Sequence, residues 1–485
     1  MIQTLLAYGL VGFVIVAAFP LATWLLQNDD HRIRIPQRLV LTLALSIGGL
    51  TLVMLWEGIL GIPFSVIGIT LPYLLLMLPG LLLWRRNRQT SSGSSNEISA
   101  EARKSALIPF VMLAAISGAI LFNAVNLPFH RADALGIYQP HAQMMYQLRG
   151  LVPLIGADSL YRTYPMLIQS AYTYAYLASG WENEYLANLI GALLSVGCLP
   201  VAFWLGSLLR DNRTGWISAV LLAFTPAFGR WASAGYVDLP MAFFYGLSAV
   251  FAIRLWHSNN RKDALLAGMM MGLSAWTKNA ALLGIPLLGL WLIYGLLRGR
   301  IRFANVVLTA MACGIVAAPW YIRNLLGAGF VVPNTAWTDQ AQRTLGSLLI
   351  FLTRFENFGL TGWVVVIGVI AAVWTLIRRR GDAPPQTAML LWSVPMFAAW
   401  WLFVSYDPRF LLLFLPILCA LGGAWLAGTW ERVPSALQPV IRWSMVGLAI
   451  FLTFQTLWFS VEYKDEILRN PLMSDAEKRE MVGRE

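Results

Sequence analysis

The sequence predicts an all-α polytopic membrane protein with about 14 transmembrane helices, and with interfacial helices in one long outer loop. Three observations carry that expectation. Hydrophobic residues make up 58% of the 485 and charged residues only 12%, whereas roughly a quarter of a soluble domain is charged. Apolar runs near the ~20 residues needed to cross hydrocarbon recur along nearly the whole chain, which leaves no room for a large soluble core. The basic residues sit in short clusters between those runs, as positive-inside loops require.

Taken in order, the runs predict spans over 3–26, 39–59, 64–84, 106–126, 185–209, 214–232, 239–256, 263–278, 280–297, 303–320, 358–377, 387–405, 409–428 and 441–460. No Lys or Arg precedes the first run, and Arg32, Arg34 and Arg38 follow it. A signal peptide has the reverse order, so the first run is expected to be a span with its N-terminus outside. Alternating from there, the cytoplasmic loops take the clusters at Arg85–Arg88, Arg298–Arg302 and Arg378–Arg380. Inner loops then hold roughly 21 basic residues against 9 in the outer loops, leaving aside the C-terminal tail. That distribution explains the net charge of +11 without nucleic acid. Cys198, Cys313 and Cys419 all lie inside apolar runs and are expected to be small buried hydrophobes rather than disulfide or metal ligands.

Residues 165–180 resemble a span but are too short. They open with Pro165, close with Gly180 and carry Tyr172, Tyr174 and Tyr176, so a helix lying at the outer surface is expected. The Ser/Gly-rich stretch within 87–105 reads as a flexible cytoplasmic linker. It separates a three-span accessory segment, 1–86, from a catalytic module, 106–430. Residues 431–485 hold the final span and a short outer tail, in which Ser474 and Glu477 have the spacing of a helix-capping box.

Candidate chemistry gathers on the outer side. About 58 residues between the fourth and fifth spans stay outside. They include Asp133, flanked by His130 and Arg131, just ahead of a short amphipathic helix expected over Pro140–Arg149 and ended by Gly150. Other outer turns place ionisable groups at span ends: Asp238 in GYVDLPMAFF, Lys278 in LSAWTKNAALLG, Arg323 in APWYIRNLLGAG, and Asp407 with Arg409 in SYDPRFLLLFLP. Each has a plain structural role open to it. A cation can snorkel to water, and a carboxylate can cap a helix. Their recurrence on the face that topology should leave poor in cations is what points to a site.

These same stretches, with the YPMLIQSAYTYAYL helix, resemble the glycosyltransferase-C superfamily over about residues 106–430. The resemblance is to the branch holding protein O-mannosyltransferases and the aminoarabinose transferases that modify lipid A. GLSAWTKNAALLG is similar to that branch's G-x-x-x-x-T-K turn. Asn279 stands where many members have Gly, and Asp133 is single where some have two adjacent acids.

The resemblance implies a membrane transferase that moves a sugar from a polyprenyl phosphate to a hydroxyl of a protein, lipid or glycan. Asp133 would be the general base, with Asp238 beside it. Lys278, Arg323 and Arg409 would stabilise the leaving lipid phosphate, and the two arginines would be its better bidentate ligands. Arg131, Tyr138, Tyr164, Tyr321 and Asp407 would contact substrate, while Glu182, Glu184 and Glu356 are expected to be structural or acceptor-side. No cofactor is fixed. Asp133 and Asp238 could hold Mg²⁺ or Mn²⁺, or Zn²⁺ if His130 joins. The site would face the outside of the cell membrane.

A transporter or flippase would place its charges at mid-depth. A polymerase or ligase of lipid-linked glycans shares the many-span plan and remains the nearer rival.

Overall fold

The computed structural model describes residues 2–27, 35–88, 100–154, 159–332, 339–379 and 383–484. The described residues are almost entirely helical and contain no strand. That is the solution apolar chains adopt in lipid, because a helix satisfies every backbone group within itself. Among the described residues, eleven helices are long and apolar enough to cross a membrane, and the chain is a multi-pass integral membrane protein.

The three other expected spans are also helical but fall short of that standard. The run expected over 214–232 is broken. Helix Asn212–Ala223 stops, Thr225 turns extended (φ −76°, ψ 117°) ahead of Pro226, and a six-residue helix, Pro226–Trp231, follows. Proline disfavours helical geometry in the residue before it, which explains the break. The other two are Arg261–Thr277, at 17 residues, and Pro384–Phe403, at 20.

Several local expectations need correction. The segment expected at the outer surface forms helix Leu167–Ser179, but it is buried inside the protein, with Tyr172, Tyr174 and Tyr176 fully enclosed. The Tyr174 hydroxyl meets that of Thr70 at 2.8 Å. The tyrosines therefore join the N-terminal spans to the rest of the chain instead of forming an interfacial belt. The amphipathic helix runs Gln139–Leu148, and the left-handed residue that ends it is Arg149 (φ 52°), one position before the glycine. The expected linker is helical from Ala100, while residues 89–99, like Arg32, Arg34 and Arg380, lie outside the described residues.

The central element is helix Asp238–Ser258, buried on nearly all sides. It turns back into Arg261–Thr277, which packs against Phe303–Ala328. That last contact is close because of glycine. A Cβ on Gly268 would lie 2.1 Å from the Thr309 carbonyl oxygen, and one on Gly272 2.8 Å from that of Cys313. Small residues at four-residue spacing let helix backbones approach in this way.

Chain direction then fixes two rims. Asp238 begins one helix and Arg254 lies near its end, where it pairs with Asp263 at 2.9 Å. At ~1.5 Å per residue these rims are roughly 25–30 Å apart. Lys278 follows the returning helix, which brings it back to the Asp238 rim. Arg409 opens the segment Pro408–Trp430, beyond whose far end Glu431 meets Arg210.

Candidate active site

At the Asp238 rim, three carboxylates and two cations from four distant stretches interlock. Arg409 is the hub. Its Nη1 lies 2.7 Å from Asp133 Oδ2, its Nη2 3.2 Å from Asp407 Oδ2, and its Nε 3.6 Å from Asp238 Oδ2. Lys278 Nζ donates to Asp238 Oδ1 at 2.7 Å. The side chains of Asp238, Arg409 and Lys278 are 1%, 10% and 14% exposed, against 30% for Asp133 and 28% for Asp407. The cluster thus has a dry floor and a wetter lip, and the carboxylates outnumber the cations by one.

Aromatic rings wall the hub. The Arg409 guanidinium sits 4.6 Å from the Tyr236 ring centre, 5.3 Å from Phe410 and 5.4 Å from Trp231. Trp231 stacks on Tyr236 at 5.0 Å, and Lys278 Nζ lies 4.4 Å over Phe410. A guanidinium is weakly hydrated and planar, which suits it to such a box.

Local backbone geometry aims each group. Asp133 precedes a π-turn, Ala134–Tyr138, without capping it. Its N–H donates to the Tyr236 hydroxyl at 3.0 Å, leaving the carboxylate for Arg409. Single π-turns interrupt regular helix geometry, frequently at functional sites. Asp238 likewise begins its helix without capping it. Lys278 and Arg409 each stand at a 3₁₀ opening of a span, Asn279–Leu283 and Pro408–Phe414. Asp407 takes the Arg409 backbone N–H at 2.8 Å and so braces the hub from its own chain.

Among the remaining expected residues, Tyr138 is buried with its ring edge-on to Tyr236 at 5.9 Å. Burial, then the charges of Asp238 and Asp133, push its pKa well above the tyrosine norm. Tyr164 packs on Tyr161 at 5.6 Å, and burial is the main cause raising its pKa to about 12. Both phenols are therefore proton-bearing donors at neutral pH.

Tyr321 is not free to stack on a ligand. Its hydroxyl donates to the Ala275 carbonyl at 2.7 Å and reaches Asn279 Oδ1 at 3.2 Å, so it braces the Lys278 turn. Arg323 stands outside the carboxylate cluster. It donates to the Val152 carbonyl and lies 4.5 Å over Trp320. Arg131 and His130 both turn to Glu462, with Nη2 at 2.9 Å and Nε2 at 2.7 Å. Glu184 accepts the N–H of Phe129 at 3.0 Å and receives Arg479 and Arg484, while Glu182 takes Gln143 at 2.6 Å.

The residues considered for a divalent cation do not fit one here. Arg409 stands between Asp133 and Asp238, and Lys278 takes the other Asp238 oxygen. His130 has Nε2 on Glu462 and Nδ1 3.1 Å from the Pro128 carbonyl. No group of three or more acidic, His or Cys ligands assembles among the described residues. His141 lies in the Gln139–Leu148 helix, where burial, and then Arg162, lower its pKa to about 4.

Sequence reasoning missed Tyr236, Trp231, Phe410 and Glu462. Tyr236 and Phe410 flank recognised ionisable residues within their own motifs, and the signal was an aromatic at each such turn, whereas Trp231 stands seven residues before Asp238, outside the motif. Glu462 gave none, because its partners lie over 330 positions away.

The profile of the dolichyl-phosphate-mannose-protein mannosyltransferase family matches residues 173–322, the stretch that carries Asp238, Lys278 and Tyr321. The apo oligosaccharyltransferase of Archaeoglobus fulgidus superimposes with a TM-score of 0.54 at 13% identity, covering 77% of this chain and 59% of that one. This chain thus spans about three fifths of that protein. ArnT from Cupriavidus metallidurans superimposes in its apo state with a TM-score of 0.52 at 20% identity, covering 68% and 61%. The form bound to undecaprenyl phosphate gives 0.51 at 18%, covering 73% and 69%. Among curated protein sequences none matches. The chain therefore has the all-helical glycosyltransferase-C fold. The family-model match and the likeness to ArnT fall on the side that its motifs resemble.

Proposed function

We propose that this protein is a membrane glycosyltransferase that moves a sugar from a polyprenyl-phosphate carrier to a hydroxyl acceptor at the outer face of the cell membrane. The observation that carries the reading is the Asp133–Arg409–Asp238–Lys278 cluster, assembled at one rim of a lipid-facing bundle. Its agreement in fold with a structure that holds undecaprenyl phosphate adds the carrier class. A transporter would need its charges at mid-depth, and these lie at helix ends.

Asp133, the most exposed of the paired acids, serves as general base. It takes the proton of the acceptor hydroxyl as that oxygen attacks the anomeric carbon. The bond from that carbon to the phosphate oxygen breaks, its electron pair stays on the phosphate, and a single displacement inverts the anomeric centre. Arg409 holds Asp133 in place. All three faces of its fork already meet carboxylates, so it organises the acids more than it binds substrate. Lys278 has spare N–H donors and is the nearer candidate to neutralise the leaving phosphate. Arg323, outside the carboxylate cluster, keeps its charge available for the carrier's phosphate as lipid enters. Tyr138 and Tyr164 supply neutral hydroxyl donors to the sugar.

The test offers purified protein a panel of polyprenyl-phosphate sugars and follows release of the free lipid phosphate. Asp133→Asn should reduce release by about 10²–10⁴-fold, the range a positioned general base contributes, with folding unchanged. Near-normal turnover by the variant would remove Asp133 from the chemistry.

A further inference from the structure

The segment that delivers Asp133 is not held by the bundle alone. Between the helix ending at Asn126 and Asp133 the backbone is irregular, and this stretch with the helix end before it finds its partners largely in the last 26 residues of the chain. Asn123 donates to the Ser460 carbonyl, and Lys478 donates to Asn126 Oδ1 at 2.8 Å. Arg484 takes the Phe129 carbonyl at 2.7 Å while also clasping Glu184. The most exacting of these contacts is Glu462. One carboxylate, 17% exposed, receives both His130 and Arg131, and Tyr463 places its ring edge-on to His130 at 5.8 Å. Arg131 then lies over Trp231 at 5.9 Å, Trp231 stacks on Tyr236, and the Tyr236 hydroxyl accepts the Asp133 N–H.

Arg479 adds a second ion pair to Glu184 at 2.9 Å, and Asp475 accepts from the Tyr185 hydroxyl. The helix before the tail, Gln438–Ser460, buries none of its apolar window and touches the bundle along Ala100–Asn126 and Pro226–Trp231. Polar contacts, rather than packed apolar surface, dock the tail.

We propose that the C-terminal tail is a strap over the catalytic loop and that Glu462 is a positioning residue. By fixing His130 and Arg131 it keeps Asp133 in register with Arg409 and Tyr236. Glu462 touches no reacting atom in this scheme. The consequence for turnover rests on the glycosyltransferase reading above, whereas the consequence for loop order does not.

The experiment compares full-length wild type with Glu462→Ala, Glu462→Gln and Glu462→Asp in detergent. Hydrogen exchange is read over residues 127–138, and donor consumption is read with the polyprenyl-phosphate sugar that wild type accepts. Glu462→Ala should speed exchange in 127–138 at least tenfold and leave Asp238–Ser258 unchanged. It should lower kcat by 10–100-fold at nearly constant donor KM, and Glu462→Asp should recover part of both effects. A general loss of fold would instead speed exchange in the Asp238–Ser258 helix as well, and in that case Glu462→Gln decides the outcome: it keeps size but sets one neutral acceptor oxygen where two charged ones met His130 and Arg131, so exchange over 127–138 should still quicken. Unchanged exchange over 127–138 in a variant that leaves Asp238–Ser258 protected overturns the strap. Faster exchange with unchanged kcat overturns the positioning role. If wild type consumes no donor, the function is what fails, and the exchange result still decides whether the strap exists.

Discussion

Arg409 and Asp238 are each surrounded by opposite charge inside a nearly dry site, and that makes their removal unequal to that of Asp133. Taking one partner from a buried ion pair leaves the other uncompensated, at about 3–5 kcal/mol. Asp238 faces both Lys278 and Arg409 at 1% exposure, whereas Asp133 meets Arg409 at a lip that water reaches. Asp238→Ala is therefore expected to lower the melting temperature of the purified protein clearly, and Asp133→Asn hardly at all. Equal melting shifts would contradict the dry-floor, wet-lip description. The same contrast explains what was legible. In an apolar chain each ionisable residue stands out, so Asp133, Asp238, Lys278, Asp407 and Arg409 were visible as candidates. Whether a cation would face acids or a carbonyl was not visible. Arg323 and Tyr321 read like the others, but each donates to a backbone carbonyl, that of Val152 and that of Ala275, and neither meets the carboxylates.

At the scale of elements, the Lys278 turn is positioned by how closely its helix meets Phe303–Ala328. Gly268→Leu would drive a side chain into the Thr309 carbonyl, where overpacking costs about 1–3 kcal/mol. The two helices would separate, and the Ala275 and Asn279 contacts of Tyr321 would stretch with them. Both a lower melting temperature and loss of donor turnover are expected; a variant that melts normally would refute this packing.

The strap adds a pH dependence. Burial raises the Glu462 pKa, but the hydrogen bond from His130 and the charge of Arg131 outweigh it and hold the group below the usual carboxylate range. The groups facing it are His130, Arg131 and Tyr463. A depressed folded pKa stabilises docking fully above the unperturbed value of about 4.3 and ceases to do so as pH falls through the folded value. Exchange over 127–138, corrected for intrinsic rates, should stay flat from pH 7 to 5 and rise below about 4, and Glu462→Gln should abolish that rise. Apolar run length found the helices, but it was blind to their ends. The Thr225–Pro226 break and the burial of Leu167–Ser179 depend on neighbours that the local pattern does not name.

At the scale of the molecule, the carboxylate cluster lies at one rim and the Arg298–Arg302 loop at the other, so the orientation in the membrane decides where the reaction occurs. By the positive-inside rule the Arg298–Arg302 loop is expected in the cytoplasm. Because the Asp238 rim and the C-terminal tail lie at the opposite end of the same helices, they must then face outward together. The three native cysteines are buried, so a single introduced cysteine reports its own side. Leu472→Cys, on a tail residue 92% exposed, should react with a membrane-impermeant maleimide on intact cells. Arg300→Cys, exposed at the other rim, should react only after permeabilisation. Labelling of both positions from one side would require an odd number of crossings between them to become even, breaking the path traced here. The reverse pattern would keep the path but turn the carboxylate cluster to the cytoplasm, where a hydroxyl acceptor and a carrier headgroup would have to meet it from inside.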